Sequence, residues 1–156
     1  MLQDVRRPIV NAELPARCDL IVNLAATHRE PGHPPHEYYE TNLLGAENVC
    51  AYASASRTPQ IVFTSSISPY GSSQTPKDED TLPVPDTAYG GSKLVAEKIH
   101  LAWQQADPAR GLVILRPGVV FGPGEYANVS RLVHSLVRGY FVYTGNKETR
   151  KAGVSG

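Results

Sequence analysis

Three short apolar runs constrain this chain most: "CDLIVNLAA" (residues 18–26), "PQIVFTSS" (59–66) and the one that opens "GLVILRPGVVFGPG" (111–124). Runs of this length, the second rich in β-branched residues, suit strands buried on both faces. Between them the apolar period changes. From His36 to about Ala53, the positions Tyr39, Leu43, Ala46, Val49, Cys50 and Ala53 recur at helical spacing. From Tyr89 to about Ala106, Leu94, Val95, Ile99, Ala102 and Trp103 do the same, with Asp86 or Thr87 as N-cap. Strand, helix, strand, helix, strand with short links predicts an α/β fold, a parallel sheet with right-handed crossovers. Residues 67–87 read as a long polar loop and 128–138 as a short third helix. "GVVFGPG" reads as a glycine- and proline-rich loop, and "YFVYTG" as the start of a further strand.

At 156 residues the chain is long enough for one domain with a real core. Its 41% apolar content and formal net charge of zero argue against disorder and against a nucleic-acid-binding surface. No apolar run approaches the roughly 20 residues of a membrane span, and no signal-peptide stretch opens the sequence. Cys18 and Cys50 form no disulfide framework and read as buried free thiols, which points to the cytoplasm.

In open parallel sheets, ligands bind beyond the carboxyl ends of the strands. Residues 23–26, 64–66 and 116–119, with the start of the second helix, are therefore expected to converge on one crevice. At that helix start stand Tyr89 and Lys93, one turn apart on one face. An ammonium beside a phenol favours the phenolate, so a weak acid that titrates near ~10 can act as a base closer to neutrality. The spacing alone is weak evidence: 8 Tyr and 5 Lys in 156 residues give about a quarter of a match by chance. A second pair, Tyr143 and Lys147, falls in a Gly/Asn turn with no shared helical face.

Five segments add the context: "DLIVNLAA", "YYETNLLGAENV", "IVFTSSISPYG", "AYGGSKLVAEK" and "LRPGVVFGPG". In this order and separation they resemble the extended short-chain dehydrogenase/reductase family, in the branch of NAD-dependent nucleotide-sugar epimerases and dehydratases. The resemblance implies a Rossmann-type sheet and hydride-transfer chemistry with NAD, NADP not being excluded. It places Ser66, four residues before Tyr70, on the catalytic Ser/Thr that bonds the reacting oxygen. Tyr89 falls on the general acid/base, and Lys93 on its partner and a nicotinamide-ribose ligand. It further implies cofactor contacts at Asp4 and Val5 (adenine), Ala25 and Ala26 (close approach), Asn42, Thr64, Ser65, and Pro117, Gly118 and Val119 (beside the nicotinamide). Arg150 matches an Arg that contacts substrate phosphate, and the helices from His36 and Tyr89 match those of a homodimer's four-helix bundle. In several dehydratases of the family an Asp-Glu pair follows the catalytic Ser. Here Ile67-Ser68 stands there, which favours epimerase over dehydratase.

No G-x-x-G-x-x-G phosphate loop occurs in the chain. Glycines of that pattern allow close approach to a pyrophosphate at a helix N-terminus. The sequence thus reads as a partial Rossmann domain over residues 1–139 and the start of a substrate region over 140–156. Poor NAD affinity and little turnover are expected of it alone. Two alternatives stay open: a hydroxysteroid or dihydroflavonol-type dehydrogenase/reductase, and a non-catalytic binding or dimerisation fragment. His28 follows "NLAAT" and is a candidate substrate contact, as are Asn128 and Arg131 at the start of the third helix. His28, His33 and His36 fit no usual zinc spacing, so no metal is expected. Arg116, at a strand end, is expected to pair with a local carboxylate.

Overall fold

The structure, a computed structural model, describes residues 3–10, 14, 17–29, 32–124, 128–143, 148 and 150–156. They fall into two compact units, residues 1–116 and 117–156.

In the first unit the order is β1 (Leu20–Asn23), α1 (Pro35–Ala55), β2 (Gln60–Thr64), a 3-10 turn (Ser68–Tyr70), α2 (Ala88–Gln105) and β3 (Gly111–Leu115). The strands form a parallel sheet in the order β1-β2-β3. Ile21 lies beside Ile61, which lies beside Leu112, and Asn23 beside Phe63, which lies beside Ile114. Because side chains alternate along a strand, this row faces one way and packs on α1 and α2. The core is Ala46, Val49, Cys50 and Ala53 from α1, Ile61 and Phe63 from β2, and Ala96 and Trp103 from α2. The opposite face is apolar yet uncovered: Leu20, Val22, Leu24, Val113 and Leu115 are all about half exposed or more. This differs from the expectation of strands buried on both faces.

The inward faces of the helices also depart from the apolar periodicity. On α1, Tyr38 is buried and Tyr39 is not. On α2, Val95 and Ala102 face outward, whereas Ser92, Lys93, Glu97 and His100 are buried with Ala96 and Trp103. Apolar residues cannot mark a face that is largely ionisable. Thr87 is the N-cap of α2, its hydroxyl accepting from Gly90 N at 3.0 Å.

The second unit holds β4 (Val119–Phe121), α3 (Asn128–Val137) and β5 (Gly153–Ser155), with β4 and β5 parallel. The glycine-rich segment expected as a loop thus contains a strand, stabilised by pairing with residues far along the chain. Residues 140–143 form no strand. No helix among the described residues is long and apolar enough to cross a membrane.

Candidate active site

The site is built where β1 and β2 end and α2 begins. Lys93 is 2% exposed; its Nζ donates to the Thr64 carbonyl oxygen at 2.6 Å and lies 4.3 Å from the centroid of the Phe63 ring. Burial pulls its pKa from 10.5 down to about 8, and the charge of Glu97 opposes that fall. Tyr89 lies one turn earlier on the same face. Its ring meets that of Tyr38 at 6.0 Å and 57°, and the Tyr38 hydroxyl donates to the Arg29 carbonyl. The loop after β1 is thereby tied to the Tyr89 ring.

Ser66 is half-buried. Its Oγ accepts from Ser68 N at 3.1 Å and donates to Ser68 Oγ at 3.1 Å, which fixes the turn leaving β2. That turn reaches α2 because residue 90 is glycine: a Cβ there would lie 2.5 Å from Ser68 O.

Ser65 points the other way. It is buried and donates to Glu97 Oε1 at 2.5 Å. Arg116 grips the same carboxylate, Nε to Oε1 at 2.9 Å and Nη2 to Oε2 at 2.6 Å. This bidentate pair raises the Arg116 pKa further above its ordinary value. The Arg116 guanidinium also lies 4.6 Å from the Tyr70 ring centroid. One turn beyond Glu97, His100 is fully buried and stacks on Phe63 with centroids 4.1 Å apart. Its Nδ1 donates to Ala96 O at 2.7 Å, so Nε2 accepts from Asn23 Nδ2 at 3.3 Å. Asn23 Oδ1 in turn accepts from Ala25 N at 3.1 Å, shaping the loop that carries Ala25 and Ala26.

Asn42, buried on α1, holds both backbone groups of Thr27: its Oδ1 accepts from Thr27 N at 2.9 Å and its Nδ2 donates to Thr27 O at 3.3 Å. The same Nδ2 donates to Ser92 Oγ at 2.8 Å, so one amide joins α1, α2 and the β1 loop. Val5 packs on Gly45 of α1 and its carbonyl accepts from Asn48. Asp4 is engaged by Arg6, which lowers its pKa to about 2. Val5 thus sits along α1. His28 is exposed in the β1 loop. Pro117, Gly118, Val119, Asn128 and Arg150 belong to the second unit. There Gly118 passes so close to Ala152 that a Cβ would lie 2.6 Å from its carbonyl oxygen, Val119 opens β4, Asn128 opens α3 and Arg150 is exposed. Lys147 lies outside the described residues. Among the described residues no group of three His, Cys, Asp or Glu could hold a metal. Cys18 and Cys50 are free thiols, and burial pushes Cys50 up to about 12.

Sequence reasoning singled out Ser66, Tyr89 and Lys93, and expected a carboxylate partner for Arg116, but missed Glu97, His100 and Tyr38. The signal for the first two was present: residues 89, 93, 97 and 100 repeat at spacings of 4, 4 and 3, and so stripe one helix face.

A phenol, a buried ammonium and a hydroxyl thus lie at the carboxyl ends of parallel strands. The NAD dependent epimerase/dehydratase family matches residues 3–146, and the chain belongs to that family. It is 36% identical over 143 residues to N-acetyl-alpha-D-glucosaminyl-diphospho-ditrans,octacis-undecaprenol 4-epimerase of Escherichia coli O157:H7, covering 91% of this chain and 43% of that protein. It is 30% identical over 132 residues to a decarboxylating sterol-4-alpha-carboxylate 3-dehydrogenase of Candida albicans, covering 82% and 37%. Among solved structures it resembles MoeE5 in complex with UDP-glucose and NAD, with TM-score 0.71 and 30% identity, covering 88% and 48%. The chain thus spans less than half the length of each of these three.

The first unit fits the nicotinamide-ribose end of NAD. An ammonium has three donors, and Thr64 takes one of those on Lys93. The others suit ribose hydroxyls, and the short, half-buried Ala25 and Ala26 suit close approach.

Proposed function

We propose that this chain carries the acid/base half of an NAD-dependent 4-epimerase site acting on a nucleotide-activated sugar. The observation that supports it best is the seating of Lys93: a buried ammonium bonded to Thr64 O, one helical turn from Tyr89. Ser66 bonds the sugar oxygen, Tyr89 removes its proton, and Lys93 favours the phenolate and holds the ribose. NAD, when bound, supplies the hydride acceptor at the adjacent carbon. Inversion of the centre would come from return of that hydride to the other face of the rotated keto-sugar, with Tyr89 giving the proton back to the oxygen. Ile67-Ser68 in place of an acidic pair favours epimerase over dehydratase.

In this reading residues 1–139 contribute to the cofactor domain and 140–156 to the substrate region. Asp4, Val5, Ala25, Ala26, Asn42, Thr64, Ser65, Pro117, Gly118 and Val119 line the cofactor, and His28, Asn128 and Arg150 meet substrate. Asn42 and Ser65 act there through the groups they hold. The outer faces of α1 and α2, with Tyr39, Leu44, Val95 and Leu101 exposed, serve a homodimer, and the compartment is the cytoplasm.

Calorimetric titration of NAD+ into the chain, with Lys93→Ala alongside, tests the site. Binding weakened about tenfold or more by the substitution supports the reading, and binding indifferent to Lys93 removes it. NMR of UDP-glucose with NAD+ tests the chemistry: galactose-form signals that survive Tyr89→Phe at the parental rate contradict the general-base role. The second reading, a sterol-type dehydrogenase, draws on the Candida albicans relative. Net NADH formation with a 3-hydroxysteroid and none with nucleotide sugars would favour it.

A further inference from the structure

The buried face of α2 carries Lys93, Glu97 and His100, and the proposed chemistry uses only Lys93. A carboxylate 2% exposed is costly to bury unless it is paired and bonded. The bonds of Glu97 reach the two strand ends that bear on the site. Ser65, at the end of β2, precedes Ser66 and donates to it at 2.5 Å. Arg116, at the end of β3, donates twice, at 2.9 and 2.6 Å. Arg116 in turn lies over Tyr70 of the 3-10 turn that follows Ser66, at 4.6 Å. The remaining carboxylate neighbour along the helix is Lys93 itself, one turn away.

We propose that Glu97 is the positioning residue of the Ser66, Tyr89 and Lys93 set. Gripped by Arg116, it joins the ends of β2 and β3 to α2 one helical turn from the buried Lys93. The inference rests on the role given to Lys93 above. The groups around Lys93 are Tyr89, Glu97 and His100 of α2, the Phe63 ring and Thr64 carbonyl of β2, and Arg116 of β3 through Glu97. Tyr70 of the 3-10 turn stands behind Arg116, and α1 presents Tyr38 to Tyr89 and Asn42 to Ser92. Among the charged groups of the described residues, Glu97 favours the charged form of Lys93 against burial.

The test is an NMR titration of 13C-labelled lysines in the full chain, with Lys93 assigned through Lys93→Arg and neither NAD nor substrate present. In Glu97→Gln the Lys93 midpoint should fall by about half a pH unit or more. Since Glu97→Gln leaves Arg116 buried without its partner, Glu97→Gln/Arg116→Gln is measured too, and a smaller fall is expected because loss of the Arg116 cation works in the opposite direction. Glu97→Asp, which keeps the charge at shorter reach, should show a smaller fall, and it carries the test if the others do not fold. A structural role alone would lower Tm in these variants while leaving the Lys93 midpoint of the folded ones unmoved, and that result overturns the proposal. Because the titration needs no turnover, it reads the Glu97–Lys93 coupling even where the chain alone turns over little, and failure of the functional reading is registered separately, by NAD binding indifferent to Lys93. Where turnover is measurable, Glu97→Gln should lower kcat about tenfold at neutral pH with KM changed less than about twofold. A KM effect alone would overturn the positioning role.

Discussion

Lys93 Nζ reaches from the first turns of α2 to the last carbonyl of β2, donating to Thr64 O at 2.6 Å with almost none of the side chain exposed. The bond fixes the helix against the strand end, and it does so with an ion in an apolar setting beside Phe63. The same burial that makes the residue useful makes it a cost to the fold.

That cost has a pH signature. The folded-state pKa of about 8 lies below the ordinary 10.5, so between those values the unfolded chain holds more protons than the folded one. Stability from this group therefore rises with pH across about 8 to 10.5, by up to about 3 kcal/mol, and the penalty is fully present below 8. Lys93→Met should be more stable than the parent at pH 7. The difference in urea-derived unfolding free energy should shrink towards pH 10.5. A difference that stays constant across the window would show that Lys93 remains charged throughout.

His100 works at the other end of the scale. Burial lowers its pKa below 6.5, more than its bond to Ala96 raises it. On acidification the unfolded chain takes the proton first, so stability is lost as pH falls below about 6.5. His100→Gln, which retains a donor and an acceptor, should flatten the fall in unfolding free energy between pH 7 and 5. A slope equal to the parent's would assign the acid sensitivity to other groups.

Gly90 and Gly91 separate backbone from side-chain crowding. A Cβ at residue 90 meets the Ser68 carbonyl oxygen at 2.5 Å, whereas one at residue 91 meets the tip of Tyr39 at 2.6 Å. A half-exposed tyrosine can rotate away, and a carbonyl in a 3-10 turn cannot. Gly90→Ala should cost about 1–3 kcal/mol and displace the Ser66 turn. Gly91→Ala should be near neutral, because alanine is the better helix former. Thermal melts of the two variants decide it, and equal Tm values would contradict the distinction.

Ser65 and Ser66 should also part company. Ser65→Ala removes a buried donor from Glu97 and should cost about 1–2 kcal/mol in chemical denaturation. Ser66→Ala loses only a turn bond at a half-buried position, so its stability change should stay under about 1 kcal/mol. Any loss of turnover, by contrast, should be larger for Ser66. The reverse ranking in both measurements would make Ser65 the hydroxyl that meets substrate.

The three strands of the first sheet and the helices were legible because each rests on local pattern, β-branched runs and helical periodicity, whereas Ser66, Tyr89 and Lys93 were singled out by the resemblance of five segments and not by spacing alone. The inward face of α2 was not legible from hydrophobicity, since Lys93, Glu97 and His100 are buried by mutual bonding that no apolar count records. Tyr38 and Tyr39 are adjacent and alike in composition, and only the contacts with Arg29 and Tyr89 select the first. β4 and β5 are three residues each and lie more than thirty apart, so their pairing leaves no local trace. The clamp of Asn42 on Thr27 likewise depends on how α1 crosses the β1 loop.

The uncovered side of the β1-β2-β3 sheet has a thermodynamic consequence. Apolar surface that already touches water in the folded chain adds nothing to the hydration change on unfolding, which is what gives proteins their heat-capacity increment. With Leu20, Val22, Leu24, Val113 and Leu115 so placed, the increment per residue should fall below the usual ~12–15 cal/mol/K. The stability curve of this chain would then be unusually flat, with cold and heat unfolding pushed further apart for a given maximum.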